Sequence, residues 1–120
     1  SRLVEMRRTQ EKIHFIRTAI TSARLCTEAA NYEAALQTIE QALNIYPEEI
    51  SLVRFYQKTS ERRDLARRTG FIRETCAAAS RLMQGGNIAS ARDLLQKALQ
   101  QYPDEEVFQN LYPHLAARRE

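Results

Sequence analysis

The chain has 120 residues, enough for one ordinary domain, and 43% of them are apolar. Ala, Leu, Gln, Glu and Arg dominate, while only three Gly and three Pro occur, and this composition favours helices over sheets. The net charge of +3 is too small to indicate nucleic-acid binding by itself, and no apolar run approaches the ~20 residues that a membrane-spanning helix needs.

The first predicted element is an N-terminal helix with two apolar series at seven-residue spacing. One series is Met6, Ile13 and Ile20, and the other is Thr9, Ile16, Ala23 and Ala30. We interpret them as a weak seam of the coiled-coil type. A tight turn at Ala30-Asn31-Tyr32 follows, because Asn supplies the left-handed backbone conformation that a reversal requires.

A second amphipathic helix comes after this turn and stops at Pro47, whose ring cannot continue a helix. Its apolar residues recur at steps of three and four: Ala35, Leu36, Ile39, Ala42, Leu43 and Tyr46. The two helices are predicted to form an antiparallel pair.

A long third helix is predicted from about Glu48 to Gln84, with a bend or break near Gly70 left open. Glu48 and Glu49 follow Pro47 directly, where acids favourably oppose the helix dipole. The stretch from Arg54 to Arg73 carries seven bases against two acids, a local charge of 7 − 2 = +5. It is either a solvated helix face or a site for phosphate backbones.

The sequence repeats itself after 56 positions, so that residues 15–64 align with residues 71–120 without a gap. Identical pairs include Phe15 with Phe71, Asn31 with Asn87, Ala42 with Ala98, Tyr46-Pro47 with Tyr102-Pro103, Tyr56 with Tyr112, and Arg62-Arg63 with Arg118-Arg119. We therefore divide the single helical domain into residues 1–8, the tail of a preceding copy, and the repeats 9–64 and 65–120. The start at Ser1 suggests part of a longer protein. Pro113, opposite Gln57, is expected to kink or end the last helix.

The spacing of small residues within each copy resembles the tetratricopeptide repeat. The first copy fits its slots with Ala23, the turn at 30–32, Ala35, Ile39, Ala42 and Pro47, and the second with Ala79, the turn at 86–88, Ala91, Leu95, Ala98 and Pro103. Two departures are the small or polar Ala19 and Thr75 in place of an early aromatic, and a repeat longer than the family's ~34 residues. The resemblance implies an all-α stack of helix hairpins, an α-solenoid fragment with a long connecting helix. This elongated form is similar to helical regions appended to bacterial serine/threonine kinases.

Neither catalysis nor cofactor binding is predicted. His14 and His114 lie 100 residues apart, and Gly85-Gly86 lacks the Lys-Ser/Thr of a phosphate loop, so we expect no enzyme, no cofactor and no metal site. Cys26 and Cys76 have no neighbouring metal-ligand residues and are interpreted as reduced core thiols. Reduced thiols indicate a cytoplasmic location.

The resemblance implies a scaffold surface that binds a peptide or partner helix, as in a regulatory segment of a larger signalling protein. The candidate groove residues are Arg17, Thr21, Arg24, Glu28, Arg73, Ser80 and Gln84. Arg17 and Arg73 recur at equivalent positions and would favour an acidic protein or peptide, unless they only solubilise the helix. The alternatives are a coiled-coil-like dimerisation or spacer element and, less favoured, nucleic-acid binding; no membrane partner is expected.

Overall fold

The computed structural model describes residues 1–116, which form five α-helices and no β-strand. The helices are α1 (Arg2–Glu28), α2 (Tyr32–Ile45), α3 (Ile50–Gln84), α4 (Ile88–Gln101) and α5 (Glu106–Ala116). The predicted all-α class is therefore confirmed for this part of the chain. The alignment onto Arg118 and Arg119 falls outside the described residues. None of these helices is long and apolar enough to cross a membrane.

The chain divides into two compact units. Unit 1 is Ser1–Ala66, and unit 2 begins at Arg67. The long helix α3 contributes its first part to unit 1 and its second part to unit 2. Unit 1 therefore contains α1, α2 and the start of α3, and unit 2 contains the end of α3 together with α4 and α5.

Small side chains line the contact between α1 and α2 in unit 1. Ala23, Ala35 and Ala42 are each at most 1% exposed, and their size lets the two helices approach closely. The larger Ile39 and Leu52 are completely buried and fill the remaining space in the same core. Burying one such aliphatic side chain contributes about 1.5–3 kcal/mol.

The core of unit 2 uses the same residue types. Ala79, Ala91 and Ala98 are at most 3% exposed, and Leu95 and Phe108 are completely buried. Each lies 56 positions after a core residue of unit 1. The alanines at positions 42 and 98 are each 1% exposed and belong to the cores of unit 1 and unit 2.

The turn between α1 and α2 is closed by two backbone hydrogen bonds. The Asn31 N–H donates to the Cys26 carbonyl oxygen at 2.8 Å, and the Ala30 N–H donates to the Thr27 carbonyl oxygen at 2.9 Å. These are the bonds of a Schellman motif, which requires a left-handed residue after the helix. Ala30 takes that conformation, with φ of 58°, whereas Asn31, predicted to supply it, has φ of −93°.

The turn between α3 and α4 has the same pattern with a residue better suited to it. The Asn87 N–H donates to the Leu82 carbonyl oxygen at 2.8 Å, and the Gly86 N–H donates to the Met83 carbonyl oxygen at 3.1 Å. The left-handed position, with φ of 80°, is a glycine here, and glycine adopts this conformation without steric cost. The turn of unit 2 therefore lacks the strain present in unit 1.

Helices α2 and α4 both end just before a Tyr-Pro pair. The last residues are Ile45 and Gln101, and the Tyr46 and Tyr102 N–H groups each close the final turn at 2.9 Å. The residue before a proline is disfavoured in the helical region, which accounts for both endings.

Helix α3 begins at Ile50, two residues later than the predicted start, and ends at Gln84 as predicted. It continues through Gly70, so the helix is not broken there. A glycine inside a helix costs only ~1 kcal/mol relative to alanine.

Helix α5 continues beyond Pro113, so the expectation that this proline ends the helix is wrong. The helix extends to Ala116. Leu115, in the turn after the proline, is 1% exposed and belongs to the core of unit 2. Its burial compensates for the single backbone hydrogen bond that a proline removes.

Candidate partner-binding groove

A groove runs along unit 1 between α1 and the start of α3, and we call it the α1–α3 groove. Two adjoining clefts of about 390 and 530 Å³ form it. The first is lined by Thr9, Lys12, Ile13, Ile16, Arg17, Ile20, Glu49 and Ser51. The second is lined by Ile20, Arg24, Ser51, Arg54, Phe55, Gln57, Lys58 and Glu61. Because Ile20 and Ser51 belong to both clefts, the groove is continuous.

Helical spacing explains why these side chains share one surface. On α1, lining residues follow one another at steps of three and four from Ile13 to Arg24. On α3, they follow the same steps from Ser51 to Lys58. Residues at these spacings lie on one face of a helix. The groove is thus formed by one face of each helix.

The floor of the groove is apolar. Ile13 is 43% exposed, although it lies beside the core of unit 1. Ile20 and Phe55 are half-buried and pack against that core from the groove side. A partly exposed floor of aliphatic and aromatic side chains offers area that a partner can bury.

The rim of the groove is basic, and four of its bases have no protein partner. Arg17, Arg24, Arg54 and Lys58 form no ion pair and no side-chain hydrogen bond within residues 1–116. Glu61 is the acid that lines the second cleft with them. These four bases and Glu61 give the rim a net charge of 4 − 1 = +3. Lys12 and Glu49 are left out of this sum because they pair with each other.

Two further bases of the stretch from Arg54 to Arg73 have partners within unit 1. Arg63 lies 3.2 Å from Asp64 and 3.8 Å from Glu33, and Arg62 stacks over the Tyr32 ring at 5.7 Å. These contacts favour the solvated helix face over a phosphate-binding site for this part of the basic stretch. Arg54 and Lys58, which belong to the same stretch, are unpaired and line the groove.

Each unit also contains a cluster formed by a base, a tyrosine and a glutamate. In unit 1, the Lys12 ammonium lies 3.5 Å from Glu49 and 5.3 Å from the centre of the Tyr46 ring. Phe15 packs against the same ring at 5.7 Å. The cluster holds the end of α2 against α1, and the charges of Lys12 and Glu49 neutralise each other.

The equivalent cluster of unit 2 has arginine in place of lysine. Arg68 donates two hydrogen bonds to Glu105, at 2.8 and 3.2 Å, and lies 5.0 Å from the centre of the Tyr102 ring. The hydrogen bond to Glu105 raises the pKa of Arg68. Phe71 packs on Tyr102 at 5.4 Å. Glu49, predicted only as a helix-start residue, and its equivalent Glu105 thus have ion-pair partners.

A further polar contact joins α2 and α3 in unit 1. The Tyr56 hydroxyl donates to a Glu40 carboxylate oxygen at 2.9 Å. This hydrogen bond is the main cause of a raised pKa of Tyr56, with smaller contributions from burial and from the Glu40 charge. Tyr56 packs against the core of unit 1 and does not line the groove.

Two of the predicted binding residues line the groove. Arg17 belongs to the first cleft and Arg24 to the second. Thr21 and Glu28 are exposed on α1 but do not line these clefts. The remaining candidates are exposed on the part of α3 that belongs to unit 2: Arg73, Ser80 and Gln84.

Comparison with known proteins gives no relative. No protein-family model matches the chain. No curated protein and no solved structure matches it either. What the groove can bind must therefore follow from its own residues.

The prediction missed the wall that α3 contributes. Ser51, Phe55 and Lys58 line the groove, although the sequence reading assigned this stretch only to packing or to a basic run. The available sequence feature was the spacing of Ser51, Arg54 and Lys58, which places them on one helix face. That spacing does not reveal that the face lies beside α1.

Neither histidine lies in the groove, and both are exposed. Residues 1–116 contain no group of three or more His, Cys, Asp and Glu side chains that could hold a metal ion. The thiols of Cys26 and Cys76 are free and half-buried, each against the core of its own unit. Burial, with a smaller effect of Glu105, raises the pKa of Cys76.

Proposed function

We propose that this chain is a protein–protein interaction module of the tetratricopeptide type, whose α1–α3 groove binds a peptide or a partner helix. The observation that carries the proposal is a continuous groove with an apolar floor and an unpaired charged rim on one unit. A regulatory segment of a larger signalling protein would use such a module.

Alanine packing supports the tetratricopeptide arrangement. In that family, small residues let paired helices approach, and the buried alanines at positions 23, 35 and 42 are in keeping with this role. The same types recur 56 positions later in unit 2. The arrangement we propose is therefore two helix hairpins, with the groove on the side of the first helix.

The groove has the size and chemistry of a peptide site. Its residues on α1 run from Thr9 to Arg24, a length of about 22 Å at ~1.5 Å per residue. This length corresponds to four turns of helix. Apolar area in the floor would supply affinity, while polar groups on the rim would set orientation.

The test is a selection from a displayed library of random peptides with the 120-residue chain as target. Enriched peptides are then measured against a variant in which the groove is filled, Ser51→Trp. Ser51 is exposed and lines both clefts, so an indole there occupies the site without disturbing the core. We expect enriched peptides to lose at least tenfold in affinity, about 1.4 kcal/mol.

The matched control is Gln41→Trp, which adds the same side chain to an exposed position of α2 outside the clefts. Peptides that bind this variant as they bind the original chain support the groove. Binding that is unchanged by Ser51→Trp, or a selection that enriches nothing, contradicts the proposed function.

Self-association through α1 is a second candidate, because large apolar side chains near its start are exposed. Leu3 is 79% exposed, Met6 51% and Ile13 43%. A tight dimer whose mass falls to that of a monomer on Ile13→Asp would favour this candidate. A mass in light scattering that is independent of concentration and equal to 13.9 kDa would exclude it.

A further inference from the structure

The unpaired bases of the α1–α3 groove lie on both of its walls, and this arrangement indicates which class of ligand the groove binds. Arg17 and Arg24 stand on α1, and Arg54 and Lys58 stand on α3. The apolar floor of Ile13, Ile20 and Phe55 belongs to the same clefts. A ligand in this groove meets positive charge on both sides and apolar surface below.

From this arrangement we infer that the ligand is an acidic amphipathic helix, and the inference rests on the proposed function. Its apolar stripe packs on the floor, and its carboxylates flank the stripe and reach the bases of both walls. Arginine is suited to such contacts because its guanidinium pairs with carboxylates through two parallel hydrogen bonds.

The spacing of the groove residues favours a helix over an extended peptide. Ile13 and Ile20 are seven residues apart, as are Arg17 and Arg24, so each type recurs about every 10.5 Å along α1. A helix laid alongside α1 repeats its own face after seven residues at the same rise and stays in register. An extended peptide repeats its face every ~6.6 Å and loses register.

The charge balance of the rim supports the sign of the ligand charge. Glu49 is paired with Lys12 at 3.5 Å, and Glu61 is a single acid against the four unpaired bases. A second copy of the chain would bring the same unpaired bases against these, and like charges at an interface disfavour association. A nucleic acid would satisfy the bases but would leave Ile13 and Ile20 of the floor without an apolar partner.

The position of the bases also sets the ligand's length. From Ile13 to Arg24 the groove needs about 12 to 16 helical residues, or three to four turns, to contact both clefts. Such a segment does not form a stable helix alone in water, so it would fold as it binds.

Three fluorescein-labelled 16-residue peptides test the inference with the intact 120-residue chain. The first has Leu at positions repeating every three and four residues, flanked by Glu, with both termini blocked. The second replaces every Glu with Lys. The third keeps the composition of the first but carries two central prolines that prevent a helix.

Fluorescence anisotropy should show binding of the first peptide only, with affinity at least tenfold above that of either other peptide. The affinity should fall as salt rises, because exposed charge pairs are screened. Selectively labelled peptide carbons should show helical chemical shifts in the bound state. Equal binding of the acidic and basic peptides, or tighter binding of the proline peptide, overturns the inference.

Charge-reversal variants locate the effect. Arg24→Glu with Arg54→Glu should weaken the acidic peptide about tenfold and strengthen the lysine peptide, as expected for two rim pairs turned from attractive to repulsive. The control is Arg2→Glu with Arg8→Glu, which makes the same charge change at exposed positions of α1 outside the clefts. Identical losses in both double variants would show only a general charge effect and would contradict the inference.

The outcome separates this inference from the proposed function. If the library selection yields neutral or basic peptides that are blocked by Ser51→Trp, the groove is a binding site and the ligand class is wrong. If a labelled single-stranded oligonucleotide displaces the acidic peptide at physiological salt, the groove serves phosphate and the inference fails. If no peptide of either experiment binds, both proposals fail.

Discussion

Ala30 is the residue whose replacement tests the turn geometry most directly. It has φ of 58°, in the left-handed region, where an L-residue with a Cβ is strained by about 1–2 kcal/mol. Replacing it with glycine removes that strain but gives the unfolded chain more conformational freedom, which costs about 0.4–1 kcal/mol. Ala30→Gly should therefore raise the free energy of unfolding by about 0.5–1 kcal/mol.

The unit 2 turn supplies the reverse experiment. Gly86 has φ of 80°, and a Cβ added there would meet nothing within 4 Å, so Gly86→Ala adds backbone strain without a steric clash. The variant should lower the free energy of unfolding by about 0.5–1 kcal/mol. Its neighbour Gly85 lies outside the left-handed region, and its added Cβ would be in ordinary contact at 3.5 Å from the Arg81 carbonyl oxygen. Gly85→Ala should therefore not destabilise the turn.

Urea denaturation followed by far-ultraviolet circular dichroism measures these differences, and a change of 1 kcal/mol corresponds to roughly 4 °C in melting temperature for a chain of this size. The matched control in unit 1 is Ala29→Gly, because Ala29 has φ of −85° and should lose stability. If Ala30→Gly destabilises the chain as much as Ala29→Gly does, the assigned left-handed geometry is refuted.

Three further perturbations have defined outcomes. Arg92 has a buried Nε without a hydrogen-bond partner, where unit 1 has the buried Leu36, so Arg92→Leu should stabilise the chain by about 1 kcal/mol in urea denaturation. Ala42→Leu and Ala98→Leu should each destabilise it by about 1–3 kcal/mol and by similar amounts, because both alanines are 1% exposed in the cores of their units. The pKa of Tyr56 is raised in the folded chain by its hydrogen bond to Glu40. The stabilisation from this hydrogen bond is therefore complete below the ordinary tyrosine pKa and is lost as pH rises through the pKa of the folded state. Ultraviolet titration should show the Tyr56 phenol ionising at a higher pH than an ordinary tyrosine.

Each of these predictions has a control. The control for Arg92→Leu is Lys97→Leu, which adds leucine at an exposed position of α4 and should change the free energy of unfolding by less than about 0.5 kcal/mol. Strongly unequal effects at positions 42 and 98 would show that the two cores are not equivalent. Tyr56→Phe should remove the late-ionising phenol from the titration, and an unchanged curve would contradict the assignment to this tyrosine.

Local pattern predicted the helices because it depends on neighbours along the chain. The apolar steps and the Tyr46-Pro47 stop identified α2, and the same features 56 positions later identified α4. Pro113 was predicted to kink or end the last helix, and the ending was wrong: α5 continues to Ala116, where the buried Leu115 favours the helix against the local rule.

The groove could be predicted only in part. Arg17 and Arg24 were identified from the resemblance to the tetratricopeptide repeat, and they do line the clefts. The opposite wall depends on which face of α3 lies beside α1, and periodicity does not contain that information. The pairing of Lys12 with Glu49 was missed for the same reason, since the partners are 49 − 12 = 37 residues apart.

The two base–glutamate contacts have a consequence for how the chain reaches its structure. Arg68 and Glu105 are also separated by 37 residues, so both units close a loop of equal length within their own sequence. The entropic cost of closing a loop rises only slowly with the length of the loop. Contacts between residues near in sequence are associated with fast folding. Such closures can complete within each unit before distant parts of the polypeptide have met.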